Sequence, residues 1–100
     1  MWYRIASEEF DHKKDWVERH QVEREGDKYV FYHGSRLSLD YLRKGSLLET
    51  TPDAARTWAD TNTRNDRRRR IKIYRVLLDL DDFNTGFWAS LTKDIEVGEK

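Results

Sequence analysis

Between Gly26 and Gly34 the chain reads Asp27-Lys28-Tyr29-Val30-Phe31-Tyr32-His33, and no other stretch limits the fold so tightly. Consecutive aromatic and β-branched side chains favour an extended backbone and leave neither face polar, so Lys28 to His33 is expected as a buried strand. Tyr29, Phe31 and His33 share one face of it, Val30 and Tyr32 the other. A strand of this kind must be covered on both sides, and 100 residues suffice for one domain with a single core. With 38% charged residues and a mean hydropathy of −0.99 the chain approaches disordered compositions, but an aromatic content of 13% separates it from them.

The remaining elements follow from local chemistry. Trp2-Tyr3-Arg4-Ile5 reads as a short first strand. Ser7 is a helix cap with Glu8 and Glu9 in the first turn, and Phe10, Trp16, Val17 and His20 carry that helix to about residue 20. Glu25-Gly26-Asp27 is a turn. Leu39, Leu42 and Tyr41 predict a short helix over Leu37 to Arg43, stopped by Gly45, and Leu47 to Thr50 a short strand. In Thr51-Pro52-Asp53 the threonine caps, the proline opens and the acid faces the dipole of a helix running to about Asp60, with Ala55, Trp58 and Ala59 on one stripe. Thr61 to Arg70 reads as a loop. Ile71 to Leu80 is the longest strand candidate, apolar on both faces in its second half and therefore expected at a sheet centre. Asp81 to Gly86 is a turn and Phe87 to Val97 one last strand. The fold class is α+β: a small mixed or antiparallel sheet with short helices, in a single domain over residues 1–100.

Several chemistries are excluded. Without cysteine there is no disulfide, thiolate nucleophile or Cys-ligated zinc. The longest apolar run, Val76-Leu77-Leu78, falls far short of the ~20 residues of a membrane span, and Arg4, Glu8 and Glu9 interrupt any signal peptide, so a cytoplasmic protein is expected. His12 and His20 stand about 12 Å apart along a helix, too far to share an ion, and no metal site is expected. Ser35 lacks a G-x-S-x-G elbow, and the glycines form no phosphate loop. Nineteen basic and nineteen acidic residues cancel, yet they are segregated. Seven cations against the single acid Asp66 lie between Arg64 and Arg75, and six acids against two lysines follow from Asp79 onward. Arg67, Arg68, Arg69 and Arg70 form a candidate partner-binding run able to grip phosphates; the alternative is a solvated loop.

One constellation remains. A histidine at a strand end followed at once by glycine, Tyr32-His33-Gly34-Ser35, puts one polar side chain beside a bare stretch of backbone, which suits a ligand carrying a hydroxyl and an amide. Downstream come Thr50-Thr51-Pro52-Asp53-Ala54-Ala55-Arg56-Thr57-Trp58-Ala59, the Ile71 to Leu80 strand, and Asp94-Ile95-Glu96, whose carboxylates share a strand face. In order and spacing this pattern, over about residues 29–96, resembles the ADP-ribosyltransferase fold, closest to small bacterial and phage-type members with a histidine on the first core strand. The resemblance implies an ADP-ribosyltransferase-like core over residues 28–97, preceded by an N-terminal extension over residues 1–27. It implies NAD as substrate and a transferase acting on a macromolecular target, protein or nucleic acid, such as a phage effector against bacterial immunity. On that reading His33 hydrogen-bonds a ribose hydroxyl, the Gly34 backbone clamps the nicotinamide carboxamide, and Tyr32, Ser35, Thr50, Thr51 and Trp58 surround the pocket. Glu96, with Asp94 as runner-up, steadies the oxocarbenium-like transition state. The rival reading is a non-catalytic binding or inhibitor protein acting through the arginine run and the acidic C-terminal third.

Overall fold

The computed structural model describes residues 12–62 and 69–97. The first strand expected at Trp2 to Ile5, the Ser7 cap with Glu8 and Glu9, and Arg64, Arg67 and Arg68 lie outside the described residues. Helix α1 (12–19) stops in a Schellman motif: the Val22 N–H donates to the Val17 carbonyl (2.9 Å) and the Gln21 N–H to that of Glu18 (3.1 Å). Gln21 therefore adopts φ +51°, a left-handed conformation usually given to glycine. Val22 folds back beside Val17 into the core.

Strands β1 (Arg24–Glu25) and β2 (Lys28–Ser35) form a hairpin in which Glu25 opposes Lys28, and Gly26 takes φ +63° at its tip. β2 then pairs antiparallel with β5 (Lys72–Leu78), from Tyr29 opposite Leu78 to Ser35 opposite Lys72. On its other side β2 meets the chain just after β4 (Leu47–Leu48), where Tyr32 and Glu49 exchange backbone hydrogen bonds of 2.8 and 2.7 Å. Two further antiparallel sheets complete the fold: β3 (Tyr41–Leu42) with β8 (Ile95–Glu96), and β4 with β7 (Ala89–Leu91), which also pairs β6 (Phe83–Asn84).

The doubly apolar strand is covered on both faces, as its composition requires. Phe31 (fully buried) and Tyr29 face the main core with Trp16, Val76, Phe83 and Leu91, the Phe31 and Phe83 rings 4.7 Å apart. The described part of the N-terminal segment belongs to this core through Trp16, Val17 and Val22. On the opposite face Val30 and Tyr32 pack under α2 (Pro52–Asn62), which presents Ala55 and Ala59, both fully or almost fully buried. The Thr51 hydroxyl accepts the Ala54 N–H (3.1 Å), the expected cap.

The mixed α+β class stands, but as three small antiparallel sheets rather than one, and four expectations change. Leu37 to Arg43 forms no helix. Its backbone groups are taken by side chains: the Ser35 hydroxyl accepts the Leu37 N–H, and the Tyr74 hydroxyl accepts from Leu39 N–H (2.8 Å) and donates to the Leu37 carbonyl (3.1 Å). Leu42 reaches the core as a strand residue while Tyr41 beside it is exposed. β5 lies at the edge of its sheet among the described residues, with β2 at the centre, and Leu77 is 43% exposed. Asp81 to Gly86 holds a 3-10 turn (Leu80–Asp82), closed by reciprocal Asp79 and Asp82 hydrogen bonds, and then β6, which buries Phe83. Phe87 to Val97 is two strands separated at Thr92 to Asp94, since β7 pairs with β4 and β6 while β8 pairs with β3. Phe87 and Trp88 turn outward, Ala89 and Leu91 are buried, and Ile95 and Val97 pack against the core.

Candidate functional site

β2 presents His33 and Gly34 at the end of its buried run. The His33 Nδ1 lies 2.7 Å from the Leu47 carbonyl oxygen. A carbonyl only accepts, so Nδ1 carries the proton, and in the neutral ring Nε2 is left as an acceptor. No partner for Nε2 occurs among the described residues. The ladder explains what Gly34 does beside it. Antiparallel residues alternate between bonding one neighbour strand and the other. Tyr32 bonds Glu49 and Val30 bonds the Glu23 carbonyl, so Phe31, His33 and Ser35 bond β5. Gly34 N–H and C=O consequently point toward β4, the position opposite being Leu47. That carbonyl is occupied by His33, and Gly34 has no hydrogen-bond partner among the described residues. A donor and an acceptor from one peptide edge thus stand unpaired beside an imidazole acceptor, in a residue that is itself buried.

Gly34 is glycine for a packing reason as well. A Cβ there would fall 2.2 Å from the Ala55 carbonyl oxygen and 3.1 Å from the Ala59 Cβ, so α2 rests directly on the bare Cα.

The other expected pocket residues divide. The Tyr32 side chain is committed to structure: its hydroxyl donates to Glu23 Oε1 (2.7 Å), and Arg75 joins the same carboxylate at 3.2 Å and Glu25 at 3.1 Å. The tyrosine hydroxyl first, and then Arg75, hold the Glu23 carboxyl below its usual range, and the same hydrogen bond pushes the Tyr32 phenol up. Ser35 caps Leu37, Thr51 caps α2, and Thr50 is half-buried next to the cap. Trp58 does not join the buried stripe of Ala55 and Ala59; it is 40% exposed on α2. Among the described residues no cluster of His, Asp and Glu gathers as a metal site.

The acids expected to complete the pocket are elsewhere. Asp94 Oδ1 accepts the Lys44 N–H (2.7 Å), which ties the turn before β8 to that after β3. Glu96, exposed on β8, lines a cleft of about 1010 Å³ along the outer side of β5. Tyr74, the cross-strand neighbour of His33, lines this cleft, and His33 does not. A carboxylate that sequence reasoning passed over is Glu49, which pairs with Tyr32 through the backbone. Burial pushes its carboxyl up, and its side chain has no hydrogen-bond partner among the described residues. Its only sequence signal is its place just before Thr50-Thr51.

No family model, curated protein or solved structure matches the chain. The site is therefore read from its own geometry. Of the arginine run, Arg69 and Arg70 are exposed, and a cavity of about 570 Å³ brings them together with Arg36 and Lys72. Arg36 is buried, its guanidinium donating to Asp60 Oδ1 and to the Arg69 carbonyl, both at 2.7 Å. No helix among the described residues is long and apolar enough to cross a membrane.

Proposed function

We propose that the His33–Gly34 edge binds the nicotinamide riboside end of NAD and that the protein is ADP-ribosyltransferase-like, modifying a macromolecular target. The observation that carries this reading is the unpaired N–H and C=O of Gly34 beside an imidazole whose tautomer is fixed by Leu47. A carboxamide offers one acceptor and two donors in a plane, which matches a single peptide edge, and a ribose hydroxyl matches Nε2 of His33. Leaving a buried donor and acceptor unpaired costs about 1–3 kcal/mol each, so a ligand that satisfies both gains affinity at once.

In the transfer, the bond between ribose C1′ and the nicotinamide nitrogen breaks, its electron pair leaves with nicotinamide, and a nucleophile on the target bonds C1′ and loses its proton. This chain would hold the leaving group through Gly34, orient the ribose through His33, and set a carboxylate near the developing positive charge. The half-buried Glu49, which pairs with Tyr32 on the β4 side, is the candidate for that acid; Glu96 lies across β5, in the cleft that His33 does not line.

Titration of the ¹⁵N-labelled protein with nicotinamide and then NAD tests the reading. The Gly34 amide should shift while the Gly86 amide stays in place, and His33→Ala should weaken NAD about tenfold or more with the fold retained. Glu49→Gln should lower NAD cleavage, whereas Glu96→Gln should leave it unchanged. A folded protein whose Gly34 amide ignores both ligands overturns the proposal.

A further inference from the structure

The other edge of the central sheet carries a second inference, independent of whether NAD binds. By the alternation that leaves Gly34 facing β4, the N–H and C=O groups of Ile73, Arg75 and Leu77 point away from β2. No strand pairs them, and none of the three has a backbone partner among the described residues. The cleft of about 1010 Å³ runs along all seven residues of β5, its far wall built by Ser38 to Asp40 and Ile95 to Val97. Unpaired strand edges usually carry a bulge, a proline or a cover; among the described residues β5 has an open trough instead.

At the Lys72 end this trough continues into the cavity of about 570 Å³, since Ser38, Leu39 and Lys72 line both. Arg70 and Lys72 converge there beside Arg69 and Arg36, the last paired with Asp60 at 2.7 Å, and no acid lies in the lining. Farther along, the walls carry Asp40 and Glu96, and Lys93 is already paired with Asp82 at 3.0 Å. The trough therefore has polarity: cationic at the N-terminal end of β5, anionic beside its middle.

We infer that the groove along β5 binds an extended peptide as an added antiparallel strand, with its C-terminal carboxylate in the Arg70–Lys72 pocket and uncharged or basic residues beside Asp40 and Glu96. Direction follows from pairing. A strand antiparallel to β5 ends beside Lys72, where the cations are. Backbone hydrogen bonds to Ile73, Arg75 and Leu77 supply sequence-tolerant affinity, and the charge pattern supplies register and orientation.

The test uses the full chain as bait for a phage-displayed library of random octapeptides with free C-termini, followed by fluorescence anisotropy of an enriched, fluorescein-labelled peptide. Expected are saturable binding, loss of about tenfold or more on amidating the peptide C-terminus or in Arg70→Glu, and loss in Leu77→Pro. The proline removes an outward N–H without touching the ladder to β2. Arg70→Glu keeps the edge intact should Leu77→Pro fail to fold. In the free protein the amides of Ile73, Arg75 and Leu77 should exchange with solvent faster than those of Tyr74 and Val76, and bound peptide should slow them. No enrichment overturns the inference, as does binding indifferent to amidation and to Arg70→Glu. Slow exchange at the three amides in free monomer also overturns it, because the edge is then already covered. A dimer abolished by Leu77→Pro assigns the edge to a second copy, and Arg70-dependent binding of a single-stranded oligonucleotide without any peptide binding assigns the pocket to nucleic acid.

Discussion

Gly34→Ala is the substitution in which packing and function make separable demands. Its Cβ would sit 2.2 Å from the Ala55 carbonyl oxygen and 2.8 Å from that carbonyl carbon. An ordinary carbon–oxygen contact is about 3.3 Å or more, so α2 and β2 must part by about 1 Å. Neither obstacle is the tip of a flexible side chain: one is helix backbone and the other the Ala59 Cβ, so the whole helix must slide. Sliding it loosens the packing of Ala55 over Val30 and Tyr32. Overpacking of this kind costs about 1–3 kcal/mol, and a backbone obstacle places Gly34→Ala at about 2–3 kcal/mol. For a domain of this size that is a urea midpoint about 1–2 M lower. Trp16, buried in the main core, reports global unfolding by fluorescence. Gly86→Ala is the matched control. Nothing lies within 4 Å of its Cβ and its φ is not in the left-handed region, so it should be neutral or stabilising by up to about 1 kcal/mol. A Gly34→Ala protein within about 0.5 kcal/mol of wild type would refute the close approach of α2 and, with it, the account of why glycine follows His33.

Gln21→Gly should stabilise by about 0.5–1 kcal/mol in the same urea assay, since the residue holds φ +51° in the α1 terminus. Arg36→Ala should cost about 1–2 kcal/mol, losing a buried stem and the hydrogen bond to the Arg69 carbonyl while Asp60 stays solvated; calorimetric melting checks it. Glu23 is held below its usual range, so its contribution is complete above the unfolded carboxyl range and fades as pH falls through its lower folded value; Glu23→Gln should flatten stability against pH on that acid side. Glu49 has the opposite sign. Burial raises it, its ionisation opposes folding at neutral pH, and Glu49→Gln should stabilise at pH 7 and be neutral once the wild-type carboxyl is protonated.

The parts legible in the sequence are those whose cause is local. The Lys28 to His33 run demanded two covers and has them; Thr51-Pro52-Asp53 carries its own cap; Gly26 names its turn. The misread segments are those whose partners lie far along the chain. Leu37 to Arg43 has helical leucine spacing, but the Tyr74 hydroxyl, 35 residues from Leu39 and 37 from Leu37, claims its backbone. β5 is apolar enough for a centre, yet position in a sheet depends on which strands arrive, and composition does not encode that. For the candidate site, His33 beside a bare Gly34 backbone was visible as a pair of residue types. That Gly34 would be left unpaired was not, because it requires Leu47 to spend its carbonyl on the imidazole. Glu96 stands out in the sequence through the likeness of Asp94-Ile95-Glu96 to the acid-x-Glu arrangement of ADP-ribosyltransferases, a local pattern that says nothing about distance to β2.

β2 also sets a timetable for synthesis. Its main hydrogen-bonding partner, β5, ends at Leu78, 43 residues after β2 itself ends at Ser35. At about 5–20 residues per second a ribosome needs roughly 2–9 s to cover that interval. Throughout it the Tyr-Val-Phe-Tyr segment, already made, has one long edge unsatisfied. The same 43 residues separate the two strands as the chain leaves the ribosome, so a pause that holds β2 outside while β5 is still inside should lower soluble yield without altering the finished molecule.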